Sequence, residues 1–259
     1  MRALLKLPGI IPLVLCYILV SGALALLPAG PGARRALLAR NTALFSRLVL
    51  WLLGVRVRVK HRERLHEGAR LIAANHVSYL DILVIAAACP AVFVTSVELG
   101  RTPLLGLLAR LGGSLFVERR KAWGLKKEIA LVARVLGEGL PVVLFAEGTT
   151  SNGERVRPFK NSLFEAAIAA GADVLPLCLR YTRINGEAVS PHNRDSVFYY
   201  GGASFFRHFP RLLSLRSVDV DLEPQKLLRP GTKASRKGLA SKAHEAVSAA
   251  CHPGIPGNP

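Results

Sequence analysis

The sequence predicts an α/β fold: a mostly parallel sheet flanked by helices, with membrane-associated helices at the amino end. Two observations carry this. Between residues 71 and 179, short apolar runs alternate with longer stretches of helical pattern, as in parallel strands joined by crossover helices. Ahead of them, residues 7–33 contain no charged side chain.

Taken in order, residues 10–27 approach the ~20 residues that span a bilayer, with Pro8 and Pro12 at the start and Pro28 and Pro31 near the end. A secretory signal competes, because Ala23-Leu24-Ala25 has the form of a cleavage site. Arg34, Arg35 and Arg40 oppose export. By the positive-inside rule they put the rest of the chain on the cytoplasmic side of the inner membrane, whether the helix spans or lies partly in one leaflet, which the prolines leave open. Residues 41–53 are too short to span; they read as an interfacial helix with Trp51 at headgroup level, or as a core helix packed on the sheet. Val55-Arg56-Val57-Arg58-Val59-Lys60 alternates strictly, which predicts a half-buried strand. Its basic outer face would meet anionic lipid or water.

Strands at 71–74, 91–95, 114–117 and 142–145 are each followed by a helix, at 79–88, 104–111, 125–136 and 161–170. A strand at 174–179 follows, then a charge-rich stretch with a strand at 218–222 and a helix at 235–250. The Pro- and Gly-rich end from His252 is expected to fray. The expected organisation is anchoring helices over 1–54, a catalytic domain over 55–225, and a C-terminal helix and tail over 226–259.

The composition is 51% hydrophobic, yet the net charge is +18. A chain both apolar and basic suits a membrane surface, which offers an apolar layer beside anionic headgroups. With 7% aromatic residues and no zinc-finger spacing, nucleic acid is not an expected partner. Cys16, Cys89 and Cys178 lie in apolar runs and read as small core residues, and no pair has C-x-x-C spacing. Reduced thiols, no disulfide framework and no metal site are the expectation, in keeping with a cytosolic domain.

The chemistry concentrates at Asn75-His76-Val77-Ser78-Tyr79-Leu80-Asp81, where a strand turns into a helix. Ligands gather at the carboxyl ends of such strands. His76 and Asp81 are five apart, so they meet only if His76 lies in the turn and folds back. Ser78 suits an N-cap, and Asp81 three residues on gives a capping-box-like pair. From spacing alone, Asp81 is either a cap or the orienting partner of a basic imidazole.

Asn75-His76-x-Ser78-x-x-Asp81 resembles the histidine–four–aspartate motif of the glycerolipid acyltransferases, typified by 1-acylglycerol-3-phosphate acyltransferase. Gly113-Ser114-Leu115-Phe116-Val117-Glu118-Arg119, Phe145-Ala146-Glu147-Gly148-Thr149-Thr150-Ser151 and Val174-Leu175-Pro176-Leu177 resemble that family's next three blocks, in its order. The likeness covers roughly residues 40 to 225. It implies an O-acyltransferase moving a fatty acyl group from acyl-CoA or acyl carrier protein to a free lysolipid hydroxyl, without other cofactor. His76 would be the general base and Asp81 its orienter. Substrate-binding roles would fall on Asn75, Ser78, Gly113, Phe116, Arg119, Glu147, Gly148, Thr149 and Lys160, with Arg119 holding the acceptor's phosphate. Partners would be the bilayer, a lysolipid and an acyl thioester.

Two positions depart from the family. Ala146 replaces the usual proline, and Thr150 replaces an arginine linked to headgroup binding. Phe-Ala-Glu-Gly-Thr-Thr-Ser also looks like bacterial members that acylate lyso-ornithine lipid. The acceptor expected first is 1-acylglycerol-3-phosphate, then lyso-ornithine lipid. A non-catalytic lipid-binding protein on the same fold is the alternative of another class. Glu154 and Arg155 stand where a phosphate-binding P-loop needs Lys and Ser or Thr, and no G-x-S-x-G elbow is present.

Overall fold

A computed structural model describes residues 2–65, 68–118 and 124–252. Arg119 and the tail after His252, two subjects of expectation, lie outside the described residues.

Helices α1 (Arg2–Ala25) and α2 (Pro31–Leu53) form an antiparallel hairpin. The expected boundaries shift here. Pro8 and Pro12 lie inside α1, and Pro31 opens α2 at its first turn, where a missing N–H costs nothing. Arg34, Arg35 and Arg40 are thus helical, and α2 has 23 residues where a short segment was expected. Both helices are long and apolar enough to cross a membrane. Gly54, with φ +76°, ends α2 and admits the Arg216 carbonyl where a side chain would clash.

The sheet comprises β1 (Val55–Val59), β2 (Arg70–Ala74), β3 (Val92–Ser96), β4 (Leu115–Val117), β5 (Val142–Phe145), β6 (Asp173–Ile184), β7 (Glu187–Ala188) and β8 (Val218–Pro224). The order is β1-β8-β6-β2-β5-β3-β4, with β7 beside β6. Strands β6, β2, β5, β3 and β4 run parallel, and β8 is antiparallel to β6. Between them lie α3 (Leu80–Ala88), α4 (Val97–Gly100), α5 (Pro103–Leu111), α6 (Leu125–Gly137), α7 (Glu165–Ala170) and α8 (Phe205–Ser214), and α9 (Arg236–Cys251) follows β8. Successive strand side chains point to opposite faces. Ile72, Ala74, Val143 and Phe145 pack with α2, α3 and α8. Leu71, Ala73, Val142 and Leu144 pack with α6, α7 and α9. The C-terminal helix is therefore part of the core.

The basic face of β1 has partners that its own sequence does not reveal. Arg56 pairs with Asp219 at 2.6 Å and Lys60 with Glu223 at 2.7 Å on β8. Those charges are met across the strands, which removes much of the reason to assign the face to anionic lipid.

The cysteine expectation is overturned. Cys178 and Cys251 form a disulfide that ties β6 to the end of α9 across 73 residues, and Cys16 is exposed on α1. Cys178 points to the face on which α9 packs, a contact no short spacing reveals. Closing so long a loop stabilises by about 2–4 kcal/mol through the unfolded state. Dithiothreitol should lower Tm by roughly 5–10 °C, read by scanning calorimetry, and Cys251→Ser should match the reduced wild type. A Tm indifferent to reductant contradicts the bridge.

Candidate active site

The polypeptide leaves β2 at Ala74 and enters α3 at Leu80, and the five residues between form a tightly bonded loop. His76 folds back as its position requires: its Nδ1 lies 2.8 Å from Asp81 Oδ2. The same oxygen accepts the backbone N–H groups of Val77 at 2.8 Å and Ser78 at 2.9 Å. Asp81 Oδ1 accepts the Tyr181 hydroxyl at 2.7 Å. The carboxylate is fully buried, so these four donors replace its water shell. The cap and orienting roles weighed for Asp81 are thus both filled by one side chain. Ser78 Oγ donates to the Val197 carbonyl at 2.6 Å and accepts from Leu80 N at 3.2 Å, so it is a buried structural hydroxyl.

Glu147, at the end of β5, holds the loop from the other side. Its Oε1 accepts the His76 N–H at 2.7 Å and its Oε2 the Arg157 N–H at 3.0 Å. Burial pushes its carboxyl above the ordinary range, against those two donors. The imidazole stacks on Phe145 with ring centroids 3.8 Å apart. With Nδ1–H given to Asp81, the Nε2 lone pair is free to take a proton, and Nε2 has no partner among the described residues.

The remaining predicted residues divide. The Asn75 amide is engaged at both ends by Leu179, donating to its carbonyl at 2.9 Å and accepting its N–H at 2.8 Å. It ties β2 to β6. Gly148 adopts φ +77°, and the Lys160 side chain lies across it where a Cβ would stand. Its N–H bonds to the Phe145 carbonyl at 3.0 Å, so it is not the free anion donor its turn suggested. Thr149 is exposed in that turn beside the site. Gly113 stands at the amino end of β4, the sheet edge opposite His76, where its φ of +76° closes the turn from α5. Phe116 packs against Gly100 and beneath the Arg110 guanidinium, 5.5 Å from the ring centroid. Neither Gly113 nor Phe116 is brought to the dyad. Arg119 is outside the described residues.

Sequence reading missed Tyr181 and Phe145. Burial and the Asp81 charge push the Tyr181 phenol well above its ordinary value, so it keeps its proton and donates. Its one sequence signal is a polar tip at the end of an apolar strand.

Residues 56–180 match the Acyltransferase family. The chain is 36% identical over 203 residues to a lyso-ornithine lipid O-acyltransferase of Rhizobium meliloti, covering 76% of this chain and 69% of that protein. It is 30% identical over 212 residues to a 1-acyl-sn-glycerol-3-phosphate acyltransferase of Neisseria meningitidis serogroup B, covering 81% of each. The crystal structure of the 1-acyl-sn-glycerophosphate acyltransferase PlsC from Thermotoga maritima superimposes with a TM-score of 0.64 over 97% of this chain and 96% of that one, at 19% identity, a likeness of fold.

Asp81→Ala would strand two buried N–H groups and the Tyr181 hydroxyl, at a cost of about 3 kcal/mol or more. A Tm loss of roughly 6–12 °C is expected. His76→Ala removes one partner at a partly exposed position and should shift Tm by no more than about 2 °C. Calorimetry on both variants checks the ordering; equal losses would contradict the role given to the carboxylate.

Proposed function

This chain belongs to the acyltransferase family, and from that premise we propose that it transfers a fatty acyl group from a thioester to the free hydroxyl of a lysolipid at a membrane surface. The observation that carries the reading is the pairing of His76 Nδ1 with Asp81 Oδ2 at 2.8 Å, which leaves Nε2 as a base. The acceptor hydroxyl gives its proton to Nε2 as its oxygen attacks the thioester carbonyl carbon. The tetrahedral intermediate collapses with cleavage of the C–S bond, and Nε2–H returns the proton to the departing thiolate. The Asp81 carboxylate stabilises the transient imidazolium. Base catalysis of this kind contributes ~10²–10⁴-fold, with positioning of both substrates adding more. A thioester is already activated, so the proposed chemistry uses no metal or prosthetic group. Acyl-CoA and acyl carrier protein both supply such a donor.

The acceptor we propose carries a phosphate or a carboxylate in its headgroup. 1-Acylglycerol-3-phosphate is the first expectation, and the acceptor named for the Neisseria relative matches it. Lyso-ornithine lipid is the second, favoured by Thr150 and by the Rhizobium relative. Purified protein assayed with radiolabelled acyl-CoA and acyl carrier protein against both lysolipids tests the reading. Wild type should acylate at least one, and folded His76→Ala should lose at least 100-fold in turnover. Near-normal turnover in that variant would remove the mechanism.

The two apolar helices and membrane-lipid relatives point to membrane association. We further propose that the hairpin lies in one leaflet of the inner membrane, with the site facing the cytoplasm. Arg35 pairs with Glu138, Arg47 donates to the Ala87 carbonyl, and Lys6 donates to the carbonyls of Leu53 and Leu215. The domain thus runs beside α2 over about 27 Å of its axis, which supports a hairpin lying in one leaflet. Outward on α1, Leu15 and Leu19 are exposed, as is Trp51 on α2. The basic residues support the cytoplasmic side; the disulfide withdraws the support expected from reduced thiols. A cysteine at Ala29, in the hairpin turn, should resist impermeant maleimides from the outer side of sealed vesicles. Labelling from that side would mean that the hairpin spans.

A further inference from the structure

Helix α8 was not among the expected elements, and it borders a cavity of about 330 Å³ that the proposed chemistry does not use. Asp195, Tyr200, Ser204, Arg207, His208 and Arg211 line it. Arg207 and Arg211 are one helical turn apart, so both project on the same side of α8. Neither side chain has a hydrogen bond or ion pair among the described residues. Asp195, the acidic group in the wall, is already engaged by the Tyr200 hydroxyl at 2.8 Å and lies 3.9 Å from Arg194. The cavity therefore holds two guanidinium groups without partners among the described residues against one charged carboxylate.

His208 gives a second, independent indication. It is 95% buried, with a relative exposure of 5%, and its Nε2 makes no well-formed hydrogen bond among the described residues, with the Phe198 and Asp195 carbonyls nearby. Its Nδ1 lies 2.9 Å from the Tyr79 hydroxyl. Burial pushes the Tyr79 phenol up, so that hydroxyl keeps its proton. Where Tyr79 donates to Nδ1, the ring proton stands on Nε2, with only the weakly placed Phe198 and Asp195 carbonyls near it. Burial, with Arg211 nearby, pushes the imidazole below its ordinary value, which an added anion would offset. The N-cap Ser204 makes no side-chain cap bond, so the first N–H groups of α8 also face this end.

Location decides the occupant. The segment 197–200 that walls the cavity is bonded to the catalytic loop: Tyr199 N donates to the Val77 carbonyl at 2.8 Å, and Ser78 Oγ to Val197 O at 2.6 Å. On the outer side, Phe206 is 86% exposed, and α8 packs on α1, whose apolar face is open. A lysolipid lying with its tail in the bilayer could extend its headgroup here while its hydroxyl approaches His76. Thr150 removes the arginine the family places elsewhere for that task.

We propose that the cavity beneath α8 binds the anionic headgroup group, phosphate or carboxylate, of the lysolipid acceptor through Arg207, Arg211 and His208. This rests on the acyl-transfer reading for its ligand. Two forked guanidinium groups suit either anion.

The test is the double variant Arg207→Gln/Arg211→Gln, both positions exposed and remote from the core. Short-chain 1-acylglycerol-3-phosphate and short-chain lyso-ornithine lipid, below their micellar concentrations, are titrated into wild type, the double variant and His76→Ala by calorimetry. The expected result is a rise of at least tenfold in Kd for the bound acceptor in the double variant, with His76→Ala binding as wild type. In detergent micelles, the acceptor KM should rise in parallel, while donor KM and saturated kcat stay within twofold. An acceptor Kd within twofold of wild type overturns the site, as does loss confined to binding of phosphatidylglycerol vesicles, which would make α8 a general lipid contact. If wild type binds lysolipid through these arginines yet transfers no acyl group, the site stands and the acyl-transfer reading falls. If transfer is normal and Kd is unmoved, the reverse holds.

Discussion

The Asp81 carboxylate is the constraint on which the site depends. It is excluded from solvent and accepts hydrogen bonds from an imidazole, two backbone N–H groups and a phenol. A buried carboxylate is tolerated only when such donors replace water. The group that fixes the His76 tautomer therefore also fixes the loop on which His76 is carried, so imidazole and loop cannot move independently. Glu147 repeats the logic one strand away by holding the His76 N–H and the Arg157 N–H in one carboxylate. The two acids act on opposite sides of one short loop, and the Asn75 amide pins its root to β6.

This explains why the parallel sheet comes first in the construction. β2, β5 and β6 are neighbours whose carboxyl ends deliver His76, Glu147 and Tyr181 to one edge. None of the three is near another in sequence. The helical hairpin and α8 cover the sheet face on which His76 stacks over Phe145, so the apolar outer surface and the base lie on the same side of the sheet. A reaction between a thioester and a membrane-held hydroxyl would need that proximity.

The parts legible in the sequence were those with a local signal. Strands buried on both faces read as short apolar runs, and β5 is found where its run predicted, Val142–Phe145. The dyad was legible because its five-residue spacing sits at a strand-to-helix junction. What failed to show was long-range. Tyr181 reaches Asp81 across 100 residues, and Cys178 reaches Cys251 across 73. The acids of β8 answer the alternating basic residues of β1, a pairing set by strand order alone. Helix α8 was missed although Phe205, Phe209, Leu212 and Leu213 follow a helical spacing, because the stretch was read only as charge-rich. Gly113 and Phe116 carry a family block yet stand apart from the dyad, since β5 and β3 lie between β2 and β4.

The Asp81 network, and not His76 alone, sets the base. Tyr181→Phe tests it most directly, since it deletes one oxygen from that network and touches neither the imidazole nor any exposed surface. Losing a hydrogen bond to a charged group of about 1.5 kcal/mol corresponds to about tenfold in rate. The measurement is saturated kcat with acceptor KM and Tm recorded alongside. The account predicts a kcat lower by about tenfold with acceptor KM within twofold of wild type in a protein that remains folded. A folded Tyr181→Phe with wild-type kcat would contradict it.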